Sequence, residues 1–310
     1  MESLEPIPQC VDCLMSLAKS ALSLAAPGNS NLIKKSERVT RKILDDAKNK
    51  ELSSPQIANR ILREIRNLTG VADPFKDFKT REMEQAKKIF MRLKAHVGQG
   101  LQSRVRLAIL GNSLDFFKNP EQALAEIPQQ FHNKISFFRD DIDRLEACLQ
   151  KKPGMVLYLT DNAGEIYFDG PLFDYLRRNS KQTVLVVKGG PALNDLTRAE
   201  LHSAGLKNKF DHVADTGTDG AGIDWEWVSK DFIDLINSAD LILSKGMANF
   251  ETLYTGQLLP ATFFLFKVKC APIQNYIQAP ANSFLALWKD HKSDVQKKLQ
   301  NTVIHKAQVE

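Results

Sequence analysis

Apolar and polar positions follow two different rhythms along this chain, and the change falls near residue 150. Before it, hydrophobic residues recur at three- and four-residue spacing, as at Leu32, Ile33, Val39, Ile43, Leu44 and Ala47. That is the stripe of a helix laid against a core. The spacing predicts helices near 10–25, 31–49, 54–68, 78–97, 100–115, 120–127 and 138–150. Lys151-Lys152-Pro153-Gly154 then marks a junction, because Pro and Gly stop a helix. Beyond it, continuous apolar runs at 156–159, 183–187, 210–214, 241–244 and 262–268 read as buried strands. Helical patterns at 171–178 and 227–238 separate several of them. Alternation of this kind predicts an α/β fold with a mostly parallel, Rossmann-like sheet flanked by helices. The expected organisation is a helical region over 1–150, packed over the site, and an α/β domain over 151–310.

Each apolar run ends on polar or charged residues, and parallel strands place those ends on one edge, where ligands bind in open α/β sheets. Run 156–159 leads into Asp161-Asn162-Ala163-Gly164-Glu165. Asp161 and Asn162 offer hard oxygen donors of the kind Mg²⁺ and Mn²⁺ prefer, and they are equally able to cap a helix N-terminus. Run 241–244 leads into Lys245-Gly246, with Asn249 four residues after the lysine. An ammonium, backbone amides and a carboxamide together suit a phosphoryl group. Glu165, Asp215 and Glu251 are further strand-end carboxylates. Any of them could orient water or transfer a proton, and Asp215 and Glu251 could equally bind sugar hydroxyls. No Walker motif is present, and Gly217 to Gly222 lacks the strand–turn–helix frame of a dinucleotide fingerprint.

Asp161-Asn162-Ala163-Gly164-Glu165-Ile166, Asn194-Asp195-Leu196-Thr197, Asp215-Thr216-Gly217 and Lys245-Gly246-Met247-Ala248-Asn249-Phe250-Glu251 resemble the motifs of the damage-control metal phosphatases. Cys10-Val11-Asp12-Cys13, Asp73-Pro74-Phe75 and Gly111-Asn112-Ser113-Leu114-Asp115 are similar to N-terminal signatures of that family's prokaryotic branch. The resemblance runs, in order, over almost the whole chain. It implies a divalent metal (Mn²⁺, Co²⁺, Ni²⁺ or Mg²⁺) on Asp161, Asn162 and Asp195. It also implies a phosphate contact at Lys269, a position that strand-end lysines otherwise occupy as exposed edge residues. Asn112, from the helical region, is a candidate for reaching across to the substrate or a simple Gly-Asn helix corner. Cys10, Cys13 and Cys270 are implied as a possible second metal or redox site, although no fourth ligand motif accompanies them.

Composition narrows the alternatives. Hydrophobic residues make up 43% and charged residues 25%, as in ordinary folded proteins. No apolar run approaches the ~18 residues that span a bilayer, and Met1 to Pro6 lacks the features of a signal peptide. The expectation is a cytoplasmic protein with no membrane partner. Residues 31–110 carry 19 Lys/Arg against 9 Asp/Glu, a basic excess of the sort nucleic acid attracts. The amphipathic spacing reads instead as a solvated helix face, and no nucleic-acid motif stands out. Four cysteines in 310 residues do not make a disulfide scaffold. Neither a His-x-x-x-His pair nor a Gly-x-Ser-x-Gly elbow occurs.

The expected function is hydrolysis of small phosphorylated metabolites, sugar phosphates or damaged relatives of them, by metal-activated water. The alternatives are a non-catalytic protein that binds a phosphometabolite or nucleotide, and a transferase with a nucleotide cofactor. Oligomeric state is not legible in the chain.

Overall fold

The computed structural model describes residues 8–48, 50, 52–113, 135–254 and 259–290. Five helices come first: α1 (Pro8–Ala25), α2 (Ser30–Ala47), α3 (Ser54–Thr69), α4 (Lys76–Leu93) and α5 (Leu101–Ser113). Local chemistry sets their ends. Asn29 caps α2 by accepting from the Leu32 N–H. Ser53 and Gln56 form a capping box at α3, which stops at Gly70 with φ +70°, a backbone angle glycine adopts without strain. The helix expected near 120–127 lies outside the described residues.

The sheet is built from β1 (Phe137–Asp140), β2 (Met155–Leu159), β3 (Gln182–Val187), β4 (Val213–Asp215), β5 (Leu241–Lys245), β6 (Ala261–Lys267) and β7 (Phe284–Lys289). Helices α6 (Ile142–Gln150), α7 (Ile166–Arg178), α8 (Arg198–Ser203), α9 (Lys230–Asn237), α10 (Met247–Leu253) and α11 (Ala271–Ile277) connect them. The spatial order is β1-β7-β6-β5-β2-β3-β4. Strands β2 to β6 pair in parallel. β7 runs antiparallel to β6, and β1 lies parallel to β7 at the edge. The mostly parallel sheet inferred from the alternating pattern is therefore present.

Several elements differ from the sequence expectation: β4 (Val213–Asp215) begins later than the run at 210–214, and α9 (Lys230–Asn237) later than the pattern at 227–238. β1 occupies the start of the segment whose spacing predicts a helix over 138–150. Its four residues are half charged and mostly exposed, too short for either period to register. β7 has no counterpart among the expected strands. Helix α7 begins at Ile166, one turn before Pro171, and so carries that proline inside it. The sequence pattern puts the proline in the first turn, which is its preferred place.

The central strands β2, β3, β5 and β6 are buried on both faces, as a covered parallel sheet requires. Along β2, Val156 and Tyr158 join the cluster under α4, α5, α6 and α7. Leu157 and Leu159 point the other way, into the cluster with Phe232, Phe250 and Ile273. Helices α1 to α3 hold a third core of their own, around Leu14, Ile57, Ile61 and Ile65. Asn59 of α3 joins this unit to the α/β part: its amide donates to Ala221 O and its Oδ1 accepts from Ala221 N–H.

Candidate active site

The chain leaves β2 toward β3 on one side and later returns to β5 on the other. β2 and β5 therefore flank the topological switch point, where an open α/β sheet forms its crevice. Asp161 follows β2 and Gly246 follows β5, and the two meet there. Gly246 has φ +81° and ψ 162°. A Cβ on it would lie 2.5 Å from Asp161 Oδ1 and closer still to Cγ and Oδ2. Only glycine allows the Asp161 carboxylate to occupy this place.

The segment 194–197 is threaded along the ends of β2 and β3. Ala163 N–H donates to Asn194 O (2.8 Å), Leu196 N–H to Asp161 O (2.9 Å) and Lys188 N–H to Leu196 O (2.9 Å). An isolated bridge pairs Asn162 with Asp195. The three residues expected to hold a metal are thus brought together by backbone hydrogen bonds from two loops.

A buried polar network surrounds them. Asn112, near the C-terminus of α5, donates to Asp161 Oδ2 (2.9 Å) and Glu165 Oε1 (2.7 Å), while its Oδ1 accepts from Lys267 N–H. Asn162 donates to Glu165 Oε1 at 2.6 Å. Lys245 is fully buried and directs its ammonium to Glu165 (2.6 Å), Asp169 (2.6 Å) and the Ala108 carbonyl (3.1 Å). Asn249 donates to Thr160 O and Lys245 O, and its Oδ1 accepts from Lys188. Asn249 therefore locks together the ends of β2, β3 and β5.

Charge at the site is unbalanced. The Glu165 charge acts on Asp161, Asp169 and Asp195, and Asp195 acts on Asp161, opposed by Lys188, Lys245, Lys269 and Lys79. Burial, then Glu165 and Asp195, hold the Asp161 carboxyl well above the usual range. Asp195 is raised by burial despite Lys188. Burial opposes the charge on Lys245, but Asp169 and Glu165 outweigh it and raise its pKa. Asp195 Oδ2 is buried with no hydrogen-bond partner, and Lys188 Nζ stands 3.6 Å away. A hard divalent cation fits these features: the donors are oxygens, one carboxylate oxygen makes no hydrogen bond, and neighbouring carboxylates oppose the charge on Asp161. Among the described residues no group of three His, Cys, Asp or Glu side chains is arranged to hold a metal ion. Asp161, Asn162 and Asp195 instead pair two carboxylates with an asparagine.

The other candidates fall in three places. Lys269 lies just past β6, exposed, and its charge acts favourably on Asp161. Asp215 sits at the sheet edge, accepting from Arg198 Nε (2.8 Å) and from Gly217 N–H; Arg198 also donates to Val213 O (2.8 Å). Glu251, on α10, is pushed up to about 7 by burial and acts on Cys13 and Cys270 rather than on the Asp161 cluster. Cys10, Cys13 and Cys270 are free thiols close enough for their charges to influence one another. Cys10 Sγ accepts from Ser54 Oγ at 3.3 Å, and Cys270 faces the Met247 sulfur at 3.9 Å.

Four residues of the network are not evident from the sequence pattern. Asp169 lies one helical turn beyond Glu165, a spacing that puts both on one face. Lys188 closes β3, so the strand-end rule could have found it. Asn194 belongs to a recognisable motif that gives it no role. Glu82 of α4 carries no signal, being one glutamate among many helix charges. It is buried, accepts from Asn194 Nδ2 at 3.1 Å and rises to about 8, chiefly through burial. A Cβ on Gly164 would meet Glu82 Cγ at 2.9 Å, so α4 presses directly on the loop after β2.

Open α/β sheets bind ligands at such a switch-point crevice, and family comparison narrows the class. Residues 7–283 match the family model described as the damage-control phosphatase ARMT1-like domain, and the chain belongs to this family. A damage-control phosphatase of Pyrococcus horikoshii is 30% identical over 284 residues, covering 90% of this chain and 96% of the relative. A damage-control phosphatase of Archaeoglobus fulgidus is 28% identical over 283 residues, covering 90% and 97%. The crystal structure of a DUF89 family protein from Pyrococcus horikoshii superposes with a TM-score of 0.81 at 28% identity, over 91% of this chain and 98% of that one. Among the described residues, no helix is long and apolar enough to cross a membrane.

Proposed function

We propose that this protein is a metal-dependent phosphatase that hydrolyses small phosphorylated metabolites, sugar phosphates or damaged relatives of them, at the crevice between β2 and β5. The observation that carries the proposal is the meeting of Asp161, Asn162 and Asp195 there among buried carboxylates, with Asp195 Oδ2 making no hydrogen bond and only a 3.6 Å ion pair to Lys188. The names of its relatives point the same way.

Asp161, Asn162 and Asp195 would hold Mn²⁺, Co²⁺, Ni²⁺ or Mg²⁺, oxygen ligands being compatible with each. The ion would supply Lewis-acid polarisation of a phosphoryl oxygen and would make a bound water more acidic. The protein's own residues do the rest. Asn112 fixes Asp161 and Glu165 in relative position, and Lys245 anchors Glu165 from below. With its three donors used inside the protein, Lys245 acts on the site by holding that carboxylate rather than by meeting phosphate. Exposed Lys269 at the mouth draws the anionic substrate toward Asp161 and offsets the phosphoryl charge.

The test is p-nitrophenyl phosphate hydrolysis by chelator-treated protein with each divalent ion added back, beside Asp161→Ala. Turnover restored by metal and abolished by the substitution is expected. A folded protein inert with every metal would overturn the reading and leave a non-catalytic phosphometabolite-binding protein.

A further inference from the structure

A second polar cleft, of about 210 Å³, opens between the C-terminal end of α4, the start of α5 and helix α7. Its walls include Lys94, Arg104 and Arg178, with Asp174 as the acidic residue among them. Asp174 is compensated from elsewhere: Arg177 lies 3.7 Å away, and its charge also acts on Lys209. The cleft is therefore cationic.

Arg104 is the decisive residue. It is buried, with only 7% of its surface exposed. Its Nη2 donates to Gln99 Oε1 at 3.0 Å, and its guanidinium lies 5.1 Å from the centre of the Tyr175 ring. Nε is buried with no hydrogen-bond partner, and among the described residues no carboxylate pairs with the group. Guanidinium has five N–H donors and cannot shed its proton. Burying such a charge without a counter-charge is costly, and Gln99 and the Tyr175 ring meet only part of what the guanidinium offers. The N-terminus of α5 at Leu101 adds its partial positive charge beside the cleft.

We propose that this cleft binds a phosphate-class oxyanion at a site separate from Asp161, with Arg104 as the buried anchor and Lys94 and Arg178 as the exposed rim. Arg104 and Asn112 stand eight residues apart on α5, about 12 Å along its axis. The two sites thus lie toward opposite ends of one helix. Free inorganic phosphate and the phosphoryl group of a metabolite share the required chemistry.

The experiment is calorimetric titration of inorganic phosphate into the full chain carrying Asp161→Ala and stripped of metal, so that the crevice at β2 does not contribute. Saturable one-to-one binding that weakens with salt is expected. Arg104→Gln should raise Kd at least about tenfold, because it removes charge-assisted hydrogen bonds. Lys94→Gln and Arg178→Gln change exposed residues that leave the core intact, and each should weaken binding several-fold. A parallel titration with glucose 6-phosphate identifies the source: tighter binding assigns a metabolite's phosphoryl group, and equal or weaker binding assigns free phosphate. No binding of either at millimolar concentration, or the same Kd in the rim variants as in the parent, would overturn the proposal.

Discussion

Replacing Gly246 with alanine tests the architecture of the crevice at its tightest point. Two costs arise together. The backbone there, at φ +81° and ψ 162°, lies in a region almost reserved for glycine, and holding alanine in it costs about 1–3 kcal/mol. The new methyl would also fall 2.5 Å from Asp161 Oδ1, against about 3.4 Å for ordinary contact. The carboxylate must retreat by about 1 Å or more, and overpacking of this kind costs about 1–3 kcal/mol. The sum, roughly 2–6 kcal/mol, is a large part of the ~5–15 kcal/mol that stabilises a typical domain. A displacement of about 1 Å in a reacting group also costs on the order of 100-fold in rate. Urea unfolding and metal-supported p-nitrophenyl phosphate turnover read the two effects. Gly70→Ala is the control: its φ is +70° with nothing within 4 Å of an added Cβ, so it should show about 1–2 kcal/mol of backbone strain and no loss of turnover. A Gly246→Ala protein with parental stability and turnover would refute the requirement for glycine beside the Asp161 carboxylate.

Lys245→Met should destabilise the fold by about 3–5 kcal/mol, since Glu165 and Asp169 would be left buried without their shared cation. Adding Asp169→Asn should recover part of that loss in urea unfolding, whereas no recovery would mean that Lys245 acts through packing alone. Glu82 sets a pH dependence: in the folded chain it keeps its proton to about 8, against 4.5 ordinarily. Between about pH 5 and 8 the native state therefore binds the extra proton. Stability then falls as pH rises, by up to about 1.4 kcal/mol per unit for this group. Glu82→Gln should gain on the parent across that window in thermal unfolding, and a pH-independent difference would reject the assignment.

The candidate site is legible where strand ends can be read directly. Asp161 and Asn162 stand out because an apolar run stops on them, and the order of the motifs resembles one family along nearly the full chain. What the sequence hides is direction and depth. Lys245 looks like a group offered to an anion, because a lysine before a glycine at a strand end usually faces solvent. Here the ammonium turns inward, since Asp169 lies one turn below Glu165 and the pair provides a buried counter-charge. Glu82 is hidden because its importance comes from α4 crossing the loop after β2, a long-range contact with no local pattern. β1 is masked for a different reason: four residues, half of them charged, are too few to show a period of two. β7 breaks the parallel alternation by returning antiparallel beside β6, an edge addition that the βαβ rhythm does not announce.

Arg198 has a consequence for how this protein behaves among copies of itself. Beside β4, a three-residue strand at the rim of the sheet, it takes the Val213 carbonyl with one nitrogen and Asp215 with another. That carbonyl is a group an incoming strand from another chain would use to extend the ladder. A side chain parked on it, on so short a strand, leaves a visiting chain little to join. The opposite rim is guarded in its own way by Arg139 and Asp140 on the exposed β1. Among the described residues, both rims of a sheet this apolar in its middle thus carry the charged groups that disfavour edge-to-edge pairing.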